Sequence, residues 1–373
     1  NIGSGSGTNV GNGIRNLTVS GLTASTLYRW QVNATDQSGH VTSKNYWFTT
    51  APYITNSAPT QGTPVLNSTD GGNTIHEDLV CYNQSTADVN GNAVTNIYNW
   101  VKNGLPLANL NLPFESKPNA NAVYCGYAVT KDYSSYGNDG TVFGATWTEG
   151  IVGGGFSFDG NDFIRIEEQG NSLGGDGSWS EISVECWIKA TTTMSSKPVI
   201  WKTDRYEPEE VGYRLDCSAN MSSSSLSYKW LIYTSSESFS VNYVMTSGVS
   251  DWHHLVCTYK SGVGLKIYVD GIERASSGST APGSIKRTDG PLEIAFNSIL
   301  DYSSVVDYSS YIEAQQDFKG ILDEVKVYSF EMSDSLVDQR YLETRDGLSN
   351  KATIPSSELA VNDRWTCQVT PND

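Results

Sequence analysis

Residues 251–271, D-W-H-H-L-V-C-T-Y-K-S-G-V-G-L-K-I-Y-V-D-G, constrain the fold more than any other stretch. Leu255, Cys257 and Tyr259 fall on one side of an extended chain, with Val256 and Thr258 on the other. Leu265, Ile267 and Val269 alternate in the same way with Lys266, Tyr268 and Asp270. A period of two is the spacing of a half-buried strand and cannot serve an amphipathic helix. Ser261-Gly262-Val263-Gly264 supplies the turn between the two arms, so the stretch reads as a β-hairpin. A hairpin with one apolar face must bury that face against a second layer.

The rest of the chain agrees with an all-β reading. It is 373 residues long, enough for about two to three domains, and rich in Gly, Ser, Thr, Asn and Tyr. Sustained helical periodicity is nearly absent, which favours tandem antiparallel β-sandwiches. The formal net charge is -17, and Lys and Arg nowhere cluster. Nucleic acid and anionic membranes are therefore excluded as expected partners. No apolar run reaches the roughly 20 residues that span a bilayer. No signal peptide opens the chain, and Asn1 is not a natural start, so a piece of a longer protein is expected. Six cysteines and the sequons at Asn16, Asn33, Asn67, Asn83 and Asn220 together point to an extracellular or cell-surface location.

Residues 1–52 open on a Gly/Ser-rich lead and turn into strands, with Tyr28, Trp30, Val32 and Ala34 sharing a face. The run L-x-A-x-T-x-Y-x-x-x-V-x-A, continued to Trp47-Phe48-Thr49-Thr50, resembles the second half of a fibronectin type III domain. The first strands of such a domain are missing, and another chain supplying them is one expectation. A proline-bearing linker over 51–64 follows. Cys81, Trp100 and Cys367 are then similar to the immunoglobulin pattern, in which an inter-sheet disulfide packs on a buried Trp. Trp365 stands where that family usually has Tyr. Cys81 and Cys367 lie too far apart for one domain of about 100 residues, which implies an inserted domain. The expected bounds are 53–111 and 349–373 for the two parts of the carrier, whose last strand is missing, and 112–348 for the insert.

The insert carries five motifs in order. Asp132-Tyr133-Ser134-Ser135 runs on to Asn138-Asp139-Gly140-Thr141, and Gly155-Phe156-Ser157-Phe158-Asp159-Gly160 follows. Ile182 to Ile188 alternates as a strand, the hairpin comes next, and Phe318-Lys319-Gly320-Ile321-Leu322-Asp323-Glu324-Val325 closes the set. These resemble the laminin-G-like and pentraxin-like jelly rolls, members of the concanavalin A-like sandwiches. A short helix is expected to start at Ser333 as N-cap and to carry Leu336, Val337, Arg340 and Tyr341. The domain string as a whole resembles segments of large multidomain prokaryotic (archaeal) surface proteins.

These resemblances imply site residues. The immunoglobulin-like pattern implies Cys81–Cys367, the pentraxin-like one implies Cys186–Cys257, and Cys125–Cys217 is left by subtraction. Pentraxin loops carry calcium at positions matching Asp204 and Glu207 in one loop and Asn297, Asp301 and Asp307 in another. A second calcium expectation places the ion near Asp323 and the 132–140 loop. Trp187, Trp230, Tyr233, Tyr243 and Tyr268 are candidates for stacking on sugars. His253 and His254 lack a nearby second ligand in sequence and read as structural histidines. A glycosidase on this fold would need paired carboxylates on an E-x-D-x-(x)-E strand, and none exists; Pro208 breaks the acidic stretch 204–210. The expected function is therefore non-enzymatic: a surface or appendage protein for adhesion, sheath or filament assembly. Its partners would be glycans, other surface proteins or copies of itself. The alternative is a carbohydrate-binding module array of a secreted glycan-degrading enzyme.

Overall fold

The computed structural model describes residues 19, 21–51, 56–116, 123–124, 127–204, 211–278, 280–296 and 317–373. They form two compact units, 1–57 and 58–373. In the first, strand Leu27–Thr35 pairs antiparallel with Val41–Thr49 in unbroken register. Tyr28 stacks on Phe48 at 5.7 Å, and Asp36 closes the turn by accepting the Ser38 and His40 amides. Trp30, Val32 and Trp47 remain exposed.

The second unit holds two sandwiches. The smaller one is built from chain segments on both sides of the larger. Strand Leu79–Tyr82 lies between Val65–Ser68 and Lys351–Ile354, and Thr95–Lys102 lies between Leu105–Pro106 and Trp365–Asn372. Cys81 and Cys367 join these two sheets in a disulfide with Cα atoms 6.2 Å apart. Trp100 is buried beside it, edge-on to Trp365 at 6.1 Å.

The larger sandwich packs a nine-stranded sheet on an eight-stranded one among the described residues. The hairpin forms as its pattern predicts, from His253–Lys260 and Gly264–Val269. Leu255, Cys257, Tyr259, Leu265, Ile267 and Val269 all enter the shared core. Strand Glu181–Ala190 runs beside the hairpin and Lys319–Tyr328 runs beside that strand. Leu110–Leu112 already pairs with Lys319–Tyr328, so the larger sandwich begins slightly before 112. Trp230 spans the layers: its indole N–H donates to the Thr258 carbonyl at 3.0 Å.

Two expected disulfides are corrected. Cys186, Cys217 and Cys257 are free, fully buried thiols, so neither Cys186–Cys257 nor Cys125–Cys217 forms; Cys125 itself lies outside the described residues. In the strand register Cys186 faces Leu255 and Cys257 faces Val184. The two thiols thus sit on a diagonal, where Cα atoms are about 7–8 Å apart and a bridge would need backbone movement.

Helix α1 (Asp334–Thr344) joins the sandwiches. Ser333 caps it by accepting the Leu336 amide at 3.2 Å, as the sequence signals. Leu336 and Val337 belong to one buried cluster with Val256, Tyr268 and Tyr328 of the larger sandwich and Cys81, Trp100 and Ile354 of the smaller. Beneath the helix lies a buried polar network. Glu185 accepts from the Tyr328 hydroxyl at 2.6 Å and lies 3.1 Å from His254 Nε2. Burial alone would raise the Glu185 pKa. The Lys326 ammonium, the His254 contact and the Arg340 charge instead hold it at about 2.

Glu115 sits where the chain crosses between the sandwiches. Its carboxylate accepts the Gly154 amide at 3.1 Å. Gly153 has φ +62°, and a Cβ there would collide with the Glu115 carboxylate, so glycine is required. Burial, reinforced by the Glu324 charge, pushes the Glu115 pKa up to about 8.

Two predictions arise. The native state holds the Glu115 proton up to about pH 8, whereas an unfolded chain releases it near 4.5. This group's contribution is therefore fully present below about pH 4.5. It is lost as pH rises toward 8, at about 1.4 kcal/mol per pH unit. Urea unfolding at several pH values should show that slope, and Glu115→Gln should flatten it. Separately, Cys81→Ala with Cys367→Ala should cost about 2–5 kcal/mol. The folded larger sandwich already shortens the 286-residue loop that the bridge closes, so a value near the lower end is expected. Calorimetry of the double variant reads the loss.

Candidate functional site

The outer face of the nine-stranded sheet gathers the chemistry. Strand register aligns one continuous row across it: Thr141, Arg165, Glu293, Trp201, Arg214, Leu231 and Ser240. Their strand neighbours Ile164, Ile200, Leu215, Ile232 and Ile294 point the other way into the core. The row is buried at Arg165, Glu293 and Trp201 and opens through half-buried Arg214 and Leu231 to exposed Ser240. Arg165 and Glu293 are buried and joined at 2.6 Å. Trp201 is 2% exposed, and its indole N–H has no partner among the described residues. The Arg214 guanidinium lies 5.3 Å from the Trp201 ring centroid and donates to Asp216 at 2.5 Å. A second row places buried Asp216, half-buried Lys229 and exposed Asn242 side by side.

Two features brace this face. Lys202, next to Trp201, is fully buried; its ammonium lies 2.8 Å from Glu168 and donates to the Gly290 carbonyl at 2.5 Å. Glu168 in turn accepts the Leu173 and Gly175 amides, which pins that loop. Beyond Arg165, Phe143 and Phe163 stack at 4.4 Å, and Tyr127 and Phe296 close an aromatic cluster at 4.4 and 4.3 Å.

The structure relocates most of the sugar-stacking candidates. Trp230 is a core residue. Trp187 lies on the opposite sheet, buried with its N–H donating to Thr344 of α1 at 2.9 Å. Tyr268 is buried on that same side, donating to Asp334 at 2.6 Å. Helix α1 covers the sheet surface that alternation alone would leave open at Trp187 and Tyr268, so these two, with the core residue Trp230, are corrected to structural roles. Tyr243 is half-buried and packs against the core, and Tyr233 is half-buried at the end of its strand on the outer face. Trp201, Arg214, Arg165 and Glu293 escaped the sequence reading. Strand Met194–Thr203 shifts register at three places, which breaks the parity count that would have placed Trp201 outside.

The calcium candidates divide similarly. Asp323 is fully buried and accepts the Ile151 and Val152 amides at 2.9 and 3.0 Å, so it anchors a turn. Burial, with the Glu324 charge adjacent, raises its pKa well above the usual carboxylate range. Asp132 is taken up by the Asn111, Ser134 and Asn138 amides. Asp204 is described, while Glu207, Asn297, Asp301 and Asp307 lie outside the described residues. Among the described residues no three His, Cys, Asp or Glu side chains converge as a metal site.

The histidines are held by fixed partners. His253 Nδ1 is 2.9 Å from Asp270, and Nε2 is 2.8 Å from the Gly248 carbonyl. Burial opposes protonation of His253, but these two acceptors outweigh it and raise the pKa. Of the sequon asparagines, Asn33, Asn67 and Asn220 are exposed, Asn83 is half-buried, and Asn16 lies outside the described residues.

Residues 158–338 match the laminin-G-like model described as the concanavalin A-like lectin/glucanases superfamily. The larger sandwich is a concanavalin A-like jelly roll. Among solved structures, the chain is similar to the receptor binding domain of botulinum neurotoxin C/D mosaic serotype. The identity is 14% and the TM-score 0.43, covering 63% of this chain and 51% of that one. It is also similar to the botulinum neurotoxin serotype G binding domain, at 13% identity and TM-score 0.46, covering 63% and 50%. A third similar structure is domain 4 of AbnA, an extracellular arabinanase from Geobacillus stearothermophilus, in complex with arabinotriose. It is 17% identical with TM-score 0.38, covering 56% of this chain and 90% of that one. The chain thus spans about half the length of the two neurotoxin structures. No curated protein matches the chain in sequence. No helix among the described residues is long and apolar enough to cross a membrane.

The buried half of the jelly-roll row yields a stability prediction. Arg165→Met removes the described cationic partner of the Glu293 carboxylate, in a site with 0% side-chain exposure. The expected loss is about 3–5 kcal/mol in denaturant unfolding. Little or no loss would mean that Arg165 is not the charge that holds Glu293.

Proposed function

We propose that the chain is a non-catalytic, extracellular glycan-binding β-module that serves adhesion, with the exposed half of the jelly roll's outer sheet face as the contact surface. The carrying observation is the pair of adjacent rows in which Arg214, Leu231 and Ser240 lie beside Lys229 and Asn242, with buried Asp216 holding the Arg214 guanidinium. Sugars present hydroxyl edges and apolar CH faces, and these rows offer donors, acceptors and an apolar side chain on rigid strands. Trp201, on the neighbouring strand and the same face, packs against the Arg214 guanidinium and holds it in place. The absence of catalysis is supported by the carboxylates of this face: Glu293 is paired with Arg165 and Asp216 with Arg214. Glycoside hydrolysis needs one carboxylate free to donate a proton and another free to attack or activate water. The extracellular setting is supported by the Cys81–Cys367 disulfide and the exposed sequons at Asn33, Asn67 and Asn220.

A glycan array followed by calorimetric titration of the best ligand tests this reading. Lys229→Ala and Asn242→Ala should each weaken binding about tenfold with an unchanged melting temperature. Glu273→Ala, on the other sheet, should leave affinity intact. An array with no hits removes the reading, and hits insensitive to Lys229 and Asn242 move the site elsewhere. The same titration with and without calcium tests the ion expected beside Asp204.

A further inference from the structure

The outer edge of a sheet is a template for pairing with another chain, and natural proteins blunt it with short strands, charged side chains, proline or a bulge. Among the described residues, the two sheets of the larger sandwich end in four edge strands, three of them blunted. Val123–Tyr124 is two residues long, and Thr146–Glu149 is four residues long and ends on exposed Glu149. Ile272–Ser276 carries exposed Glu273 and Arg274, and its register shifts against Gly264–Val269. Ser238–Met245 differs from all three. It is eight residues long, S-F-S-V-N-Y-V-M, with no charge, proline or glycine. It pairs with Ser225–Tyr233 in unbroken register, and no strand among the described residues takes its other edge.

The side chains of this strand specify what it can pair with. Val241 is buried in the core, while Phe239, Tyr243 and Met245 on the same side pack against the core but stay half-buried. Ser238, Ser240, Asn242 and Val244 are exposed on the other side. A fitting strand is therefore neutral and alternates apolar with small polar residues. A charged segment would find no charge here to answer it. A second copy of the same strand meets both conditions, and having no charge it cannot repel itself. With a two-fold axis at Val241, Phe239 lies opposite the partner's Tyr243 and Ser240 opposite the partner's Asn242. Aromatic pairs and small polar pairs are favourable cross-strand combinations.

We infer that Ser238–Met245 is a self-association edge. It pairs antiparallel with the same strand of a second copy, about a two-fold axis at Val241, and joins the two nine-stranded sheets into one. The half-buried row of Phe239, Tyr243 and Met245 is then continued by its own copy across the axis. This pairing does not depend on what the outer face binds.

Sedimentation of the full chain at rising concentration, up to about 1 mM, should show a reversible monomer–dimer equilibrium. Ser238→Lys together with Val244→Lys places like charges opposite each other twice across the axis. Dimerisation should weaken at least about tenfold, with the melting temperature unchanged because both positions are exposed. The two lysines reduce the net charge of -17, so overall repulsion cannot cause that loss. Ser238→Lys together with Val244→Glu sets opposite charges at the same places and should restore the dimer. A monomer at every concentration overturns the inference and leaves the edge to a strand of a different protein. A dimer that is indifferent to the two lysines, or that the opposite charges fail to restore, also overturns it.

Discussion

The burial of one short helix between two β-sandwiches is the interaction on which the second unit depends. Leu336 and Val337 are fully covered, and the cluster that covers them draws side chains from both sandwiches. Fully burying each such side chain is worth about 1.5–3 kcal/mol. The helix itself is only 11 residues long, too short to be stable alone in water, so packing must hold it. It also determines which sheet surface can be used. With α1 over Trp187, Val256 and Tyr268, exposed positions among the described residues remain on the outer face of the nine-stranded sheet at Ser240 and Asn242. The position of the helix thus decides which sheet surface is covered as much as the residues on that surface do.

Charge burial under the helix works with this packing. Glu185, His254, Tyr328, Lys326 and Arg340 form a network in which each buried charge has an opposite neighbour. Isolated buried charges cost several kcal/mol each, whereas paired and hydrogen-bonded ones can break even. Removing any single member is therefore far more damaging than the net worth of the whole network suggests. Such networks also resist alternative packings, because a shifted helix would leave charges unpaired.

Legibility in sequence followed the physics of each feature. The hairpin was readable because period-two alternation and a Gly-bearing turn are local signals, and Leu255, Cys257 and Ile267 face the core as that period requires. Ser333 was readable as a cap for the same reason. What escaped was whatever depends on a second layer. Alternation shows that Trp187 and Tyr268 leave the core, but not that a helix from 60 or more residues downstream covers them. Trp201 was missed because register shifts within its strand reset the parity. The row from Arg165 to Ser240 draws on six strands spread over more than 120 residues, and no local pattern announces it. Cys186 and Cys257 show the complementary error: a shared face was legible, but the register that sets them diagonally was not.

The claim that α1 binds the two sandwiches into one cooperative unit has a direct test in native-state hydrogen exchange on the full chain. Amides of Val80 and Cys81 in the smaller sandwich and of Ile267 and Val269 in the larger should exchange through one common opening, with the same free energy and the same denaturant dependence. Two distinct free energies, with the smaller sandwich opening while the larger stays closed, would contradict it.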